Sequence, residues 1–332
     1  MISKIAIVGS GFGMYCLLPA FSRVKDCKIV GISGKNSERM TEFCKKFDVK
    51  HYSNWKEMIV QEKPDGVAIA VVPQHQYEIA RYALENGIGV FAEKPLTTSY
   101  ESSVFLNDLA KKKELPNMVD FIFTQIPQWI EAKKILESGE FGEILHVDVN
   151  WTFLSHDIKN KLKTWKTDVK QGGGALSLVF SHILYYLEFF LGSITNIESK
   201  IFCSELSLNH GETKIELKFN FGNNRTGYAN LDISIPSSNH SITFKTQNGN
   251  LILENRTDSF VDNFDLIMKT GNKTEKIQLD NLENMYDEDP RIKVIVPLAK
   301  RFVNWCNFDQ KSKPDFEDGM RVQKLIEISR NN

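Results

Sequence analysis

Residues 86–95, NGIGVFAEKP, decide how the first part of this chain folds. The run 89–92 is apolar throughout, which predicts a buried strand that ends at the charged pair Glu93 and Lys94. Pro95 then stops the strand's ladder and biases Lys94 toward an extended backbone. Open α/β sheets bind ligands outside the carboxyl ends of their strands. We therefore expect Lys94 at the mouth of a ligand crevice, where a cation can orient a substrate or transfer a proton.

Strand and helix patterns alternate on both sides of this stretch. Strands are predicted at 4–9, 27–33, 66–72, 89–92 and 116–123, and helices at about 14–24, from Ser37 onward, at 76–86 and at 99–112. Alternation at this spacing is typical of βαβ units. We therefore predict a doubly wound parallel α/β sheet, forming a dinucleotide-binding domain over residues 1–123.

The rest of the chain follows a different pattern. A helix at 126–137 leads into a strand at 144–153 in which apolar and polar residues alternate. Further strands are predicted at 196–203, 215–221, 228–235, 241–246 and 264–270, with turns at 222–224, 236–238 and 248–250. Strands joined by tight turns predict an open, mostly antiparallel sheet. Residues 124–332 are thus predicted to form an α+β domain, closed by helices at 288–309 and 316–330, the second packing back on the first domain.

The composition excludes several classes of protein. A chain of 332 residues with 42% apolar and 25% charged residues is that of a soluble two-domain protein, and its net charge of −1 supplies no basic field for nucleic acid or anionic lipid. No apolar run reaches the roughly 18–20 residues that span a bilayer, and the strand pattern at Lys4 leaves no room for a signal peptide. The five cysteines lack the C-x-x-C spacing of zinc sites. We therefore expect a cytoplasmic protein without a metal, a nucleic acid partner or a membrane partner.

The turn after the first strand carries Gly9, Gly11 and Gly13, with Phe12 between the last two. Glycine at the first two positions permits a tight turn and lets a pyrophosphate approach the backbone at a helix N-terminus. The third glycine of the G-x-G-x-x-G pattern would fall at Met14, and here it stands one residue earlier. A generic strand-to-helix turn is the alternative, but the position within the first βαβ unit favours a dinucleotide site.

The end of the second strand is where NAD and NADP are distinguished. A carboxylate there binds the ribose 2′-hydroxyl of NAD, but this chain has Ser33, Gly34, Lys35 and Asn36. A hydroxyl and a cation suit a 2′-phosphate, so we favour NADP. NAD is the alternative if Lys35 is solvated and Ser33 or Asn36 meets the 2′-hydroxyl. The predicted cofactor-binding set is completed at the ends of the next two strands by Val72, Pro73, Glu93 and Lys94.

A second glycine run, 172–174, precedes an apolar helix that carries His182, Tyr185 and Tyr186. Without side chains, the backbone of this run can lie against a flat ligand such as a nicotinamide ring. The tyrosines follow His182 by three and four residues, on the same side of the helix. A histidine among apolar neighbours is usually a satisfied core residue, and the glycine run is the reason to place His182 at a site.

Four motifs occur in order along the chain, and together they resemble the Gfo/Idh/MocA family of oxidoreductases. They are VGSGFG at 8–13, EKP at 93–95, GGGAL with SH at 172–182, and FEDGMRVQ at 316–323. The resemblance implies an NAD(P)-dependent oxidoreductase that acts on a sugar, a cyclitol or a nucleotide-linked sugar. It also implies that Lys94 and His182 are the active-site lysine and histidine.

The chemistry agrees with these roles. Hydride leaves a carbinol carbon only as the hydroxyl proton is taken, so a base must lie within hydrogen-bond reach. Histidine accepts a proton near neutrality, and Lys94 can orient the substrate oxygen and stabilise charge that develops on it. Tyr185 is a third catalytic candidate, since tyrosine can donate a proton to a carbonyl, although packing against the sheet is an equal alternative.

One position departs from the family pattern. Family members commonly carry an aspartate four residues before the histidine, and this chain has Leu178 there. The candidates to replace that carboxylate are Tyr185, Tyr186 and Asp168. Otherwise the lysine and the histidine suffice, or the protein has lost turnover and is an NAD(P)-sensing regulatory or binding protein of the same fold. Hydride chemistry within a bound cofactor that assists glycoside cleavage is a third possibility.

Several expectations concern the substrate and the assembly. Trp129, Trp151 and Trp165 are candidates to stack on a sugar ring, although core packing is the commoner use of tryptophan. His75 and Gln76 follow the third strand, where they can meet the cofactor or the substrate. An exposed sheet with a largely apolar pattern is often covered by a second copy, so we expect a homodimer or homotetramer through the C-terminal sheet.

Overall fold

The structure is a computed structural model that describes residues 2–204, 207, 209, 211–279, 282 and 288–332. The chain groups into two compact units. The first comprises Met1–Ile122 and Asn284–Gln323, and the second comprises Phe123–Glu283 and Lys324–Asn332. The described part of the segment 284–323 therefore groups with the α/β unit. The sequence patterns instead placed the helix at 288–309 in the second domain and predicted that the helix at 316–330 packs back on the first.

Among the described residues, the first unit holds a six-stranded parallel sheet, which confirms the predicted doubly wound α/β fold. Its strands are β1 (Ser3–Val8), β2 (Cys27–Ser33), β3 (His51–Tyr52), β4 (Gly66–Ile69), β5 (Gly89–Ala92) and β6 (Asn117–Val119), in the spatial order β3-β2-β1-β4-β5-β6. Its first five helices are α1 (Leu18–Ser22), α2 (Glu38–Phe47), α3 (Trp55–Glu62), α4 (Pro73–Glu85) and α5 (Tyr100–Lys112). The strand order reverses beside β1, so β1 and β4 flank the switch point at which such sheets bind ligands.

Local sequence signals set several of these bounds. Strands β2 and β5 begin and end where predicted. Ser37 caps α2, because its hydroxyl accepts a hydrogen bond from the Met40 backbone N–H at 3.1 Å. Gly87 follows the end of α4 in the left-handed region, with a φ of +77°.

Three parts of the first unit differ from the prediction. Strand β4 ends at Ile69, and Pro73 begins α4 because its fixed φ suits the first turn of a helix. Strand β6 ends at Val119 because its partner β5 ends at Ala92 and offers no further ladder. Strand β3 and helix α3 were not predicted, since a two-residue strand is too short to show an alternating pattern.

Among the described residues, the second unit holds an eight-stranded sheet in which β10 and β7 are parallel and all other neighbours are antiparallel, which confirms the predicted open, mostly antiparallel sheet. Its strands are β7 (Ile144–Leu154), β8 (Ile194–Cys203), β9 (Glu212–Phe221), β10 (Thr226–Asp232), β11 (Ser234–Thr246), β12 (Gly249–Asn255), β13 (Asp265–Thr270) and β14 (Lys273–Ile277), in the order β14-β13-β12-β11-β7-β10-β9-β8. Its helices are α6 (Pro127–Glu137), α7 (His156–Lys159) and α8 (Ser181–Leu191). Of the two last helices, α9 (Ile292–Phe308) belongs to the first unit, and α10 (Phe316–Asn331) is divided between the units after Gln323.

Turn signals in the second unit predicted some strand limits wrongly. The stretch 236–238, predicted as a turn, lies within β11, whose pairing with β7 is irregular between Ser234 and Asn239. Strands β12 and β14 were not predicted. The hairpin between β11 and β12 closes where Thr246 pairs with Gly249, so part of the turn predicted at 248–250 belongs to β12.

The two faces of this sheet differ in polarity. One face packs against helices, as where the Phe190 ring of α8 lies 4.8 Å from the Phe244 ring of β11. The other face is polar around Asp148, whose carboxylate pairs with His146 and with Lys245. The expectation of a largely apolar exposed face is therefore wrong for these central strands, because each strand alternates apolar and polar residues.

One helical stretch among the described residues, Val169–Leu191, is long and apolar enough by composition to cross a membrane. Within the structure, 72% of its most apolar window is buried. That burial is typical of a core helix, and the stretch is weak evidence for a membrane span.

Candidate active site

The glycine turn after β1 is held tightly against its neighbouring strands. The Gly9 backbone N–H donates to the Ser33 carbonyl at 2.8 Å. Gly9 has a φ of +137°, and a Cβ atom there would lie 2.2 Å from the Ala70 carbonyl oxygen. Only glycine fits this position, because a side chain would meet both a disfavoured φ and a backbone atom.

Gly11 differs from Gly9 in having open space beside it. No heavy atom of the described residues lies within 4 Å of the position that a Cβ at Gly11 would occupy. Gly13 follows as the first residue of a π-helical turn, Gly13–Leu17, that continues directly into α1. Backbone N–H groups at a helix N-terminus favour an anion, so this turn fits the pyrophosphate of a dinucleotide.

The end of β2 packs against the same turn. A Cβ at Gly34 would lie 2.9 Å from both the Cβ and the backbone N of Ser10, so Gly34 lets the two segments touch. Ser33 is buried, and the exposed Lys35 makes no ion pair with any described residue. His51, which the sequence patterns did not single out, bonds the Gly34 carbonyl through Nε2 at 3.0 Å.

Gln76 supports the Glu93–Pro95 segment. Its Nε2 donates to the carbonyls of Glu93 (2.6 Å), Pro95 (3.0 Å) and Leu96 (3.0 Å). This buried amide is therefore committed to the backbone beside Lys94. Val72 and Pro73 begin α4 near this segment, and His75 is exposed.

Asp120 is a buried carboxyl that the sequence patterns missed. The β5–β6 register pairs Ala92 with Val119, so Glu93 and Asp120 follow side by side, and the Asp120 N–H donates to the Ala92 carbonyl at 2.9 Å. Asp120 is 1% exposed, and its carboxyl interacts with the neighbouring Glu93 carboxyl. Burial raises the pKa of Asp120 well above its usual range and the Glu93 carboxylate raises it further, while Lys94 acts in the opposite direction.

Arg291, immediately before α9, brings a cation to the glycine turn from a distant part of the chain. Its guanidinium lies 4.8 Å from the centre of the Phe12 ring. It is fixed by two hydrogen bonds to Asp289, from Nε at 2.8 Å and from Nη2 at 2.6 Å. An arginine held in this way suits a phosphate. No local motif marked it, because its significance depends on where α9 packs.

The glycine run of the second unit packs against the chain itself. A Cβ at Gly173 would lie 2.1 Å from the Trp165 carbonyl oxygen, and one at Gly174 would lie 1.6 Å from Glu212 Oε2. The expectation that this run leaves room for a flat ligand is therefore wrong at Gly173 and Gly174. Glu212 also accepts a hydrogen bond from Arg330 Nε at 2.9 Å, which ties the run to β9 and α10.

His182 and Tyr185 both lie in the buried part of α8. Each is 8% exposed, and the His182 ring lies 4.9 Å edge-on from the Phe123 ring. Leu178 lies half-buried in the π-helical turn that precedes α8. The histidine thus keeps an aromatic neighbour, and an apolar residue occupies the position of the family carboxylate.

The other residues considered for that carboxylate are committed elsewhere. Tyr186 is fully buried, and its hydroxyl bonds His240 Nε2 at 3.2 Å. Asp168 accepts hydrogen bonds from the Lys170 backbone at 3.0 Å and from Gln171 Nε2 at 2.8 Å. The Gln171 bond is the main cause that lowers the pKa of Asp168. Both groups therefore serve local structure.

The tryptophans also divide by environment. Trp129 is fully buried and makes ring contacts with Phe123, Tyr186 and other aromatic residues. Trp151 stacks on His240 with ring centres 4.0 Å apart, and Trp165 is half-buried.

No group of three or more histidine, cysteine, aspartate or glutamate side chains suited to a metal ion occurs in the described part of the chain.

Comparison with known proteins identifies relatives of both halves of the chain. Residues 3–121 match the family model described as an oxidoreductase family with an NAD-binding Rossmann fold, and residues 129–252 match that of the GFO/IDH/MocA C-terminal domain. Glucose-6-phosphate 3-dehydrogenase of Bacillus subtilis is 23% identical over 98% of this chain and 95% of its own length. An uncharacterized oxidoreductase of Synechocystis is 28% identical over 59% of this chain, and that match spans 53% of the relative.

Solved structures share the fold over the full chain. Levoglucosan dehydrogenase in complex with NADH and L-sorbose superposes with a TM-score of 0.87 at 17% identity, covering 99% of this chain and 96% of that one. A 3-ketoreductase from Actinomadura kijaniata in complex with NADP and TDP-benzene superposes with a TM-score of 0.83 at 18% identity, covering 100% and 98%. At these identities the likeness establishes the architecture.

Proposed function

The chain belongs to the Gfo/Idh/MocA family of oxidoreductases, and we propose that it transfers hydride between a nicotinamide dinucleotide and a hydroxyl or ketone of a sugar, a cyclitol or a nucleotide-linked sugar. The observation that carries this proposal is the combination of an open glycine at Gly11 with a charged segment, Glu93 and Lys94, at the same edge of one parallel sheet. Relatives named as sugar dehydrogenases and ketoreductases support the substrate class.

In this proposal the first unit binds and orients the dinucleotide, which when bound accepts or supplies the hydride. The backbone N–H groups that follow Gly11 would hold the pyrophosphate, and Arg291 beside Phe12 would add a fixed cation. Lys35, exposed at the end of β2, supports NADP over NAD, because a 2′-phosphate gains a charge-assisted contact there.

The proton chemistry is assigned to residues of each unit separately. Lys94 would orient the substrate oxygen and stabilise the charge that develops on it, and His182 would take or return the hydroxyl proton, with Tyr185 as its neighbour on α8. We propose that Asp120 supports Lys94 within the first unit, since it is buried next to Glu93 at the end of the strand beside β5. A carboxyl that keeps its proton can pass that proton to a nearby lysine after the lysine has given one to the substrate.

A second candidate is an NAD(P)-sensing regulatory or binding protein of the same fold, which is favoured by the apolar Leu178 in place of the family carboxylate. Such a protein needs the dinucleotide site but not Lys94 and His182. Retention of both residues supports the enzyme.

We further propose that the protein is cytoplasmic and that it forms a homodimer or homotetramer. Light scattering at micromolar concentration would test the oligomeric state.

The test of the proposed function is the absorbance of reduced nicotinamide during turnover. The protein would be incubated with NAD or NADP and a panel of neutral sugars, cyclitols and nucleotide-linked sugars. A substrate-dependent change with one cofactor would establish the oxidoreductase and decide the cofactor. Tight dinucleotide binding without any change across the panel would favour the sensing protein.

A further inference from the structure

The second unit contains a cleft of about 520 Å³, and none of its lining residues takes part in the proposed hydride transfer. It is bordered by the carboxyl end of β7, by the start of α7, by the irregular part of β11, and by the loop after β12. Its walls include Trp151, Phe153, His240 and Phe260, and polar side chains such as Asn239 surround them. A concave site with aromatic walls and convergent polar groups is the usual form of a small-molecule site.

The aromatic wall is continuous and partly uncovered. The Phe260 ring lies 5.3 Å from the Phe153 ring and 5.9 Å from the Trp151 ring. Trp151 in turn stacks on His240, with an interplanar angle of 1°. Phe260 is nevertheless 41% exposed, so an apolar ring face is presented at the cleft. The C–H face of a sugar or cyclitol ring is a suitable partner for such a surface.

His240 provides an unpaired polar atom at the base of this wall. The residue is 4% exposed, and burial lowers the pKa of its ring to about 3. The ring is therefore uncharged near pH 7. Its Nε2 is bonded to the Tyr186 hydroxyl, while its Nδ1 has no hydrogen-bond partner among the described residues. A buried polar atom without a hydrogen bond destabilises the protein. A ligand hydroxyl that bonded to Nδ1 would remove that penalty and so favour binding.

The charges of the cleft favour a neutral ligand. Its charged lining groups are Lys159 and Asp258, one of each sign, with the exposed His156 beside them. Asp258 already accepts a hydrogen bond from the Ser238 hydroxyl. A site for a nucleotide diphosphate would be expected to present several cations, and arginine above all.

The cleft is also close to the proposed base. The Phe123 ring contacts His182 at 4.9 Å and contacts both Trp151 and His240 at 5.3 Å. His182 and the wall of the cleft therefore share one aromatic neighbour. The Phe123 ring thus connects His182 to the buried part of the wall, which is formed by Trp151 and His240.

We propose that this cleft is a subsite for a neutral polyhydroxylated ring, which packs against Phe260 and pairs a hydroxyl with His240 Nδ1. The inference rests on the proposed function and narrows its substrate class from sugars in general to neutral sugars or cyclitols. A nucleotide-linked sugar that places its base on Phe260 is the competing occupant.

The test is direct binding to the full chain, measured by titration calorimetry without dinucleotide. The probes are D-glucose and myo-inositol as neutral rings and UDP-glucose as the nucleotide-linked sugar. Phe260→Ala should weaken binding of at least one neutral probe by about five-fold, the loss expected for one aromatic contact. Phe202→Ala is the matched control, because Phe202 is 44% exposed on β8 of the same unit and does not line the cleft. It should bind the probes like the wild type.

A second variant keeps the proposal testable if Phe260→Ala perturbs folding. The double change Tyr186→Phe with His240→Phe keeps an aromatic ring at each position and removes the Tyr186 hydroxyl and both ring nitrogens of His240, and it should also weaken binding of the neutral probe. The proposal is overturned if neither neutral probe binds, if the Phe202 control loses as much affinity, or if only UDP-glucose binds in a Phe260-dependent way. Because no dinucleotide is present, a protein that binds neutral sugars at Phe260 but shows no turnover would contradict the proposed function alone.

Discussion

Gly9 and Gly11 stand two residues apart in one turn and meet opposite steric conditions. At Gly9 a Cβ would lie 2.2 Å from a backbone oxygen, whereas at Gly11 it would meet no described atom. The first glycine therefore serves the packing of β1 against the segment that follows β4. The second leaves a surface open to a ligand.

This contrast gives a paired prediction. Gly9→Ala should lower the free energy of unfolding by about 2 kcal/mol or more, because it adds a backbone clash to a disfavoured φ. Gly11→Ala should leave stability within about 0.5 kcal/mol but weaken dinucleotide binding. Urea denaturation and dinucleotide titration of both variants test this. Equal stability of the two variants would contradict the packing described at Gly9.

Asp120 predicts a pH dependence of stability. Its pKa is raised in the folded state, so the folded protein keeps a proton that the unfolded chain releases above about pH 4. The contribution to stability is therefore complete below that pH and declines as pH rises toward the folded pKa. Asp120→Asn should flatten the decline in the free energy of unfolding across this range and should also reduce turnover.

Urea denaturation at a series of pH values is the measurement for Asp120. The exposed Asp108, on α5 of the same unit, supplies the matched control Asp108→Asn. The control should follow the wild-type curve. An Asp120→Asn curve parallel to that of the wild type would show that this carboxyl ionises normally.

The elements that follow a local rule were the ones that the sequence predicted well. Strand β5 is an apolar run followed by two charged residues and a proline, and α2 begins after a serine cap. In both cases the adjacent residues determine where the element begins or ends. Strand β3 is only two residues long and exists because β2 offers it an edge. Strand β14 is exposed along most of its length and lacked the apolar alternation that marks a strand.

The conformation of the glycine run before α8 depends on contacts with residues that are distant in the sequence. Glu212 of β9 occupies the space beside Gly174 and is itself held by Arg330 of α10. These partners lie far along the chain, so the sequence motif alone suggested a ligand where the structure has a carboxylate.

Substitution at Gly174 measures this packing. Gly174→Ala should destabilise the protein by about 2–4 kcal/mol, since it combines a positive φ with a contact to Glu212. Gly139→Ala is the control, because Gly139 has a similar φ of +79° with no described atom near its Cβ position. It should cost only about 1 kcal/mol. Similar losses for both variants, measured by thermal or urea unfolding, would argue against the Glu212 contact.

At the scale of the whole molecule, the first unit depends on a helix that comes near the end of the chain. The Phe302 ring of α9 lies 6.2 Å from Phe21 and 5.8 Å from Phe91. The Ser3 hydroxyl donates to Asn307 Oδ1 at 2.9 Å. The sequence predicted the sheet but not its closure by α9, because the apolar residues of that helix carry no signal that says which sheet they cover.

The fragment 1–123 is therefore expected to fold poorly by itself. Without α9 it would expose the Phe21 and Phe91 rings and lose the partner of Ser3. Circular dichroism should show no cooperative thermal transition for this fragment. The same fragment joined by a glycine–serine linker to residues 288–323 should regain one. A cooperative transition in the short fragment would refute the role given to α9.

In the candidate site too, the sequence predicted residues that a local motif marks and missed those that depend on contacts with distant parts of the chain. The glycine turn and the end of β5 were predicted because strand ends bear local marks, and the family resemblance added roles for Lys94 and His182. Asp120 and Arg291 were missed, since the first matters through its register with Glu93 and the second through the packing of α9.

The most direct test of the central claim is Lys94→Ala, assayed for dinucleotide affinity and for turnover with the best substrate of the panel. The glycine turn holds the dinucleotide in this account, so its dissociation constant should change by no more than about three-fold, roughly 0.7 kcal/mol. Turnover should fall by about a hundredfold or more, as when a group that acts on the reacting oxygen is lost. Wild-type turnover in Lys94→Ala, or a loss of affinity that accounts for the whole loss of turnover, would contradict the assignment of Lys94 to the chemistry.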